Sequence, residues 1–221
     1  MIIPTILVSS FDEFATQAKK LKGVCDYAQI DVMDGVFVPN KSFGDIEKIN
    51  GLKSGLKWEL HLMAADPLAE MEKWKEVKNV FRVIFHIETA DDPEKIIAAI
   101  HGNCWQAGIA LNPETPLSAI EPYLNLVDLV LFLTVRPGKQ GAKFLPEVKE
   151  KVKTLVSLPL LEGGQGRGYR PLIAVDGGIK SSNIAEIKSW GVDIFCVGSA
   201  LVMAKDIKKT YKELTAMTNI C

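Results

Sequence analysis

Short apolar runs rich in Val and Ile alternate with amphipathic segments eight times along the chain. This rhythm constrains the fold more than any other feature of the sequence. The runs are IIPTILV (2–8), YAQIDVM (27–33), WELHLM (58–63), RVIFHI (82–87), QAGIALN (106–112), LVLFLTV (129–135), PLIAVDG (171–177) and IFCVGSA (194–200). Between them apolar residues return at helical spacing: Phe11, Phe14, Ala18 and Leu21; Leu68, Met71, Trp74 and Val77; Ile184, Ile187 and Trp190. Strand then helix, repeated, means parallel strands joined by right-handed crossovers. Eight such units in 221 residues predict an α/β fold, a single closed (β/α)8 barrel rather than an open doubly wound sheet. No Gly-, Pro- or Ser-rich linker divides the chain, so residues 1–221 read as one domain. LEGGQGRGYRP (161–171) breaks the rhythm. It is too glycine-rich for a helix and is expected to be a mobile surface loop, within reach of a neighbouring subunit.

Charge narrows the partners. A formal net charge of -1 does not suggest a nucleic-acid or membrane-surface partner. No stretch approaches the roughly 20 apolar residues of a membrane span. MIIPTILVSS lacks a basic leader and meets Asp12 and Glu13 at once, so it reads as a first strand rather than a signal peptide. Cys25, Cys104, Cys196 and Cys221 show no CxxC spacing, which fits free thiols in a reducing cytoplasm. A small molecule or a second copy of the chain, in a homo-oligomer, is the expected partner.

In a (β/α)8 barrel the active site lies where the strands end. Strand one brings Thr5 and Ser9 there, and strand two Gln29, Asp31 and Met33. Strand three brings His61 and Met63, strand four His86 and Glu88, strand five Asn112, and strand six Thr134 and Arg136. Strand seven brings Asp176, Gly177 and Gly178, and strand eight Gly198 and Ser199. Asp31, His61 and Asp176, with the amide of Gln29 nearby, have the atoms to hold a divalent cation. The glycines suit another task, because a ligand phosphate reaches backbone N–H groups only where no Cβ intervenes. DGG (176–178), VGS (197–199) and PGKQG (137–141), with Gly138 and Gly141, follow three adjacent strands. Together they point to a phosphorylated small molecule and a metal. Each residue alone has a plainer reading. An Asp before Gly is often a turn residue, and a strand His is often a hydrogen-bonded core residue. Met33 and Met63 would fill a barrel. His86 reads as a structural residue or as support for a ligand, His101 as surface, and Asn112 before Pro113 as a turn.

The combination resembles the ribulose-phosphate 3-epimerase family. The matching segments are IPTIL (3–7), DVMDGVFVPNKSFG (31–44), LHLM (60–63), FHIE (85–88), ALNPETP (110–116), LTVRPG (133–138), VDGGI (175–179) and VGSAL (197–201), in family order over nearly the whole chain. The resemblance implies a TIM barrel and one divalent metal ion (Zn, Mn, Fe or Mg). It also implies 1,1-proton transfer at C3 through an ene-diolate, interconverting D-ribulose 5-phosphate and D-xylulose 5-phosphate. Asp31 and Asp176 would be the acid–base pair, and Thr5, Met33, His61, Met63 and the strand-end glycines with Ser199 would surround the ketose phosphate. Metal ligands would be Asp31, His61, Asp176 and, as a weak donor, Gln29, which stands where the family motif HxDxMDG has a histidine. Further departures are Thr5 for a serine, Leu133 for a third methionine, Arg136 for an asparagine, and PGKQGA (137–142) for PGFGGQ, which adds Lys139. These leave room for an epimerase of another ketose phosphate, such as allulose 6-phosphate, or for a non-catalytic sugar-phosphate binder.

Overall fold

The computed structural model describes residues 1–138, 143–159, 161–162 and 168–219. In chain order the elements are β1 (Ile2–Ile6), α1 (Phe11–Leu21), β2 (Tyr27–Met33), α2 (Ile46–Gly51), β3 (Lys57–Met63), α3 (Pro67–Trp74) and β4 (Val80–His86). They continue with α4 (Pro93–Gly102), β5 (Gln106–Leu111), β6 (Leu129–Leu133), α5 (Val148–Ser157), β7 (Leu161–Glu162) and β8 (Gly168–Tyr169). The last are β9 (Leu172–Asp176), α6 (Ile184–Lys188), β10 (Ile194–Val197), α7 (Ser199–Val202) and α8 (Ile207–Thr218). Eight parallel strands close into a barrel in the order β1-β10-β9-β6-β5-β4-β3-β2. The predicted strands are all present: β2 matches its run, β3 and β4 begin before theirs, and the other five are shorter than predicted. Gly198 has φ -87 and ψ -102, off the β region, so β10 stops at Val197 and Ser199 opens α7 instead of extending the strand. Part of the expected 161–171 loop is a small antiparallel hairpin of β7 and β8; residues 163–167 lie outside the described residues.

Helix starts follow from the sequence. Ser10, Asp66, Asp92 and Asp206 each accept a backbone N–H in the first turn of the helix that follows. Pro67 and Pro93 occupy first positions, where no intrahelical donor is lost. The apolar stripes, such as Phe14, Ala18 and Leu21 of α1, then bury against the outside of the barrel.

Strand alternation separates two cores. One lies between sheet and helices; the other fills the barrel with Ile3, Ile84, Ala110, Leu129, Leu131, Leu133, Ala174, Ile194 and Cys196. At the lower end of the barrel Glu59 and Arg82 form a buried ion pair at 2.6 Å, and Arg82 also donates to Gln106. The guanidinium answers the charge that makes a buried carboxylate costly. This pair leaves the upper end of the barrel for a second polar cluster.

Candidate active site

Register brings the upper cluster together. Thr5 pairs with Gln29, Asp31 with His61, Met33 with Met63, and Cys196 with Asp176. The inward positions of adjacent strands therefore face one another at one height. Asp31, His61 and Asp176 offer ligand atoms that all lie within 4.8 Å of one another. His61 Nδ1 is 2.9 Å from Asp31 Oδ1 and 3.6 Å from Asp176 Oδ2. Thr134 holds the end of β9 in place: its hydroxyl donates to the carbonyls of Asp176 (2.9 Å) and Gly177 (2.6 Å).

Gln29 is fully buried beneath this cluster. Its amide nitrogen donates to Asp31 Oδ1 at 2.9 Å and to Asp176 Oδ2 at 2.8 Å, so one NH2 bridges two carboxylates from strands β2 and β9. Its Oε1 is buried with no hydrogen-bond partner among the described residues. Burial, and the repulsion of the Asp31 charge, push the Asp176 carboxyl up to about 7. The carboxylates hydrogen-bonded to and facing His61 raise that ring's pKa against its burial.

The cluster forms the floor of a cavity of ≈ 70 Å³. Thr5, Met63, Leu133, Gly138, Gly177, Gly178, Gly198 and Ser199 are among its lining residues, as expected. Gly141 and Lys139 lie outside the described residues. Met33 sits one step away, packed with Met63 and Val38. Gly177 and Gly178 adopt φ +115° and +64°, and a Cβ at Gly177 would fall 2.4 Å from Val135. Only glycine lets this turn present its backbone to the cavity. The loop after β2 folds over the same end. Asp34 accepts the N–H groups of Val36, Phe37 and Ala65, and Asn40 donates to the carbonyl of Gly138.

Leu7, Val135, Ile179 and Cys196 also line the cavity and were not expected. Cys196 was legible in principle, since it lies two residues before Gly198 and shares its strand face. Arg136 is exposed, and His101 is a surface residue paired with Asp128. His86 contacts His61 directly, with its Nε2 2.9 Å from His61 Nε2, and Glu88 lies behind it.

A closed α/β barrel whose strand ends combine two carboxylates, a histidine and glycine turns defines a class of barrel suited to phosphorylated substrates and proton transfer. The profile of the ribulose-phosphate 3-epimerase family matches residues 1–202. The chain belongs to that family. It is 34% identical over 211 residues to the ribulose-phosphate 3-epimerase of Mycobacterium tuberculosis, covering 93% of this chain and 87% of that protein. It is 30% identical over 217 residues to the Escherichia coli ribulose-phosphate 3-epimerase, covering 97% and 94%. Among solved structures, 3-hexulose-6-phosphate synthase from Salmonella typhimurium superposes with a TM-score of 0.67 at 14% identity, covering 98% of this chain and 97% of the other. Orotidine 5'-phosphate decarboxylase from Pyrococcus horikoshii gives 0.68 at 14%, covering 100% of both. At that identity the likeness establishes the shared barrel alone.

Proposed function

We propose that the chain, as one barrel domain, interconverts D-ribulose 5-phosphate and D-xylulose 5-phosphate by moving a proton at C3. The observation that carries this reading is the pairing of two carboxylates on one cavity floor with one of them, Asp176, raised to about 7. Inversion at a carbon needs a base on one face and an acid on the other. The proton beside a ketone is weakly acidic, so base and acid must both be positioned in advance. Asp31 and Asp176 reach the site from strands three places apart around the barrel, and mutual repulsion keeps a proton on one of them. In one direction the ionised carboxylate removes the C3 proton and the protonated one delivers its own to the opposite face; in reverse the roles exchange. Met63 and Leu133 wall the cavity with apolar surface that excludes water. The backbone at Gly177, Gly178, Gly198 and Ser199 would take the phosphate, and Thr5 would contribute a hydroxyl to the substrate.

The donors suit a divalent cation. Asp31, His61 and Asp176 converge, and Gln29 holds a buried amide oxygen that has no hydrogen-bond partner among the described residues. Turning that amide over would exchange NH2 for oxygen beside the carboxylates, an arrangement favourable only with a cation between them. When bound, the cation would stabilise negative charge developing on the substrate oxygens. An amide in place of imidazole shifts the set toward oxygen, which suits Mg²⁺ or Mn²⁺ relatively better than Zn²⁺. Family kinship also supports a homo-oligomer working in the cytoplasm, where Cys25, Cys104 and Cys196 remain thiols.

Turnover of ribulose 5-phosphate, measured by coupled detection of xylulose 5-phosphate and compared with allulose 6-phosphate, tests the reading. Faster turnover of the pentulose phosphate supports it. Faster turnover of allulose 6-phosphate would reassign the substrate, and turnover of neither would leave a binding protein.

A further inference from the structure

His61 has a partner on each ring nitrogen, and the two sides make opposite demands. Its Nδ1 faces Asp31 and Asp176; its Nε2 lies 2.9 Å from Nε2 of His86. Between two facing imidazole nitrogens one must carry the proton and the other a lone pair. The choice is made further out. Glu88 Oε1 accepts the backbone N–H of Asn112 at 2.7 Å and the hydroxyl of Thr115, while Oε2 lies 3.1 Å from His86 Nδ1. With these donors around it the carboxyl is held ionised, down at about 2. An ionised carboxylate only accepts, so the His86 proton sits on Nδ1. His86 is fully buried, with Phe37 packed at 4.8 Å between ring centroids, surroundings that favour the neutral ring. Its Nε2 is then a lone pair, and His61 must donate from Nε2.

We propose that Glu88 and His86 are positioning residues that hold His61 in its Nε2–H tautomer, so that Nδ1 offers a lone pair to a cation between Asp31 and Asp176. This rests on reading that cluster as a metal site and adds the device that orients one ligand. Without the chain of bonds Asp31 would draw the neutral ring's single proton onto Nδ1, the atom the cation needs.

The test combines ¹⁵N NMR of histidine-labelled, metal-free protein at alkaline pH with calorimetric titration of Mn²⁺. The sequence has 3 histidines, which keeps the spectrum assignable. His61 of the unmodified protein should carry its proton on Nε2. Glu88→Gln should move it toward Nδ1 and weaken Mn²⁺ binding by about 10- to 100-fold, the scale of changes behind a metal ligand. His86→Phe should do the same, and covers the case in which Glu88→Gln fails to fold. Thr115→Val removes one donor from Oε1 but leaves the Asn112 N–H there and Oε2 facing His86, so it should leave both readouts near the starting values. A proton on Nδ1 in the unmodified protein, or equal weakening by Thr115→Val and Glu88→Gln, would overturn the proposal. If no Mn²⁺ binds but the tautomer responds to Glu88→Gln, the positioning role stands and the metal reading fails. If Mn²⁺ binds and the tautomer ignores Glu88, the metal reading stands and this role fails.

Discussion

Replacing Gln29 by histidine should tighten divalent-metal binding by at least tenfold. The Gln29 amide donates to Asp31 and Asp176 at 2.9 and 2.8 Å. A cation cannot enter with N–H groups pointed at it, so both bonds must break as the amide turns. A hydrogen bond to a charged group contributes roughly 1.5–3 kcal/mol. Part of that is returned when the amide oxygen, otherwise unsatisfied, meets the cation. Even one such bond at the lower figure, about 1.5 kcal/mol, is a tenfold difference in affinity. A neutral histidine presents a bare nitrogen and a stronger donor, and it breaks only what its own tautomer makes. The assay is calorimetric titration of Mn²⁺ and of Zn²⁺ into chelator-treated protein, unmodified and Gln29→His, at one pH and ionic strength. The unmodified protein should purify with less than one metal per chain and gain turnover when metal is added. Tight, stoichiometric zinc in the unmodified protein, or no gain from Gln29→His, would refute the reasoning.

Asp176→Asn should keep the fold and phosphate binding but lower turnover by at least ~100-fold, the usual scale for an acid–base residue; near-normal rates would remove Asp176 from the chemistry. The same variant carries a stability prediction. A carboxyl raised to about 7 keeps in the folded state a proton that the unfolded chain releases near 3.8, so its contribution is full below that value and is lost as pH rises to about 7. Denaturant titration should show metal-free Asp176→Asn gaining on the unmodified protein between pH 4 and 7, on the order of 4 kcal/mol at most; a flat difference contradicts the shift. Gly177→Ala should lose roughly 1–3 kcal/mol, because φ +115° is strained for any side chain and Val135 blocks the Cβ; an unchanged melting temperature would contradict the turn geometry. Ribulose should bind about 100-fold or more weakly than its 5-phosphate, two charge-assisted bonds at roughly 1.5 kcal/mol each; equal affinities in calorimetry would give the glycine loops another role.

Much of the fold is legible in the sequence, for local reasons. The α1 stripe and the eight strand runs follow from periodicity, and alternation put Gln29, Asp31 and Met33 on one face. What escaped depends on residues far apart in sequence. Gln29 was legible as a group facing the barrel mouth, but not as an amide whose NH2 spans to Asp176, 147 residues away. In the sequence His86 reads as structural or supporting, and only tertiary contact shows it between His61 and Glu88. Glu59 and Arg82 lie in the inward register, yet the strands alone do not say that β3 and β4 bring opposite charges together. The hairpin of β7 and β8 was hidden by its glycines, which read equally well as a loop.

That Asp31 and Asp176 move a proton at C3 is tested most directly by hydrogen exchange. Ribulose 5-phosphate incubated with the protein and Mn²⁺ in deuterated water should acquire deuterium at C3, seen by proton NMR, and xylulose 5-phosphate should accumulate alongside it. Asp176→Asn should suppress both while still binding the sugar phosphate. Binding without deuterium at C3 in the unmodified protein would contradict proton transfer at this site, and full exchange after exhaustive chelation would contradict the metal's part in it.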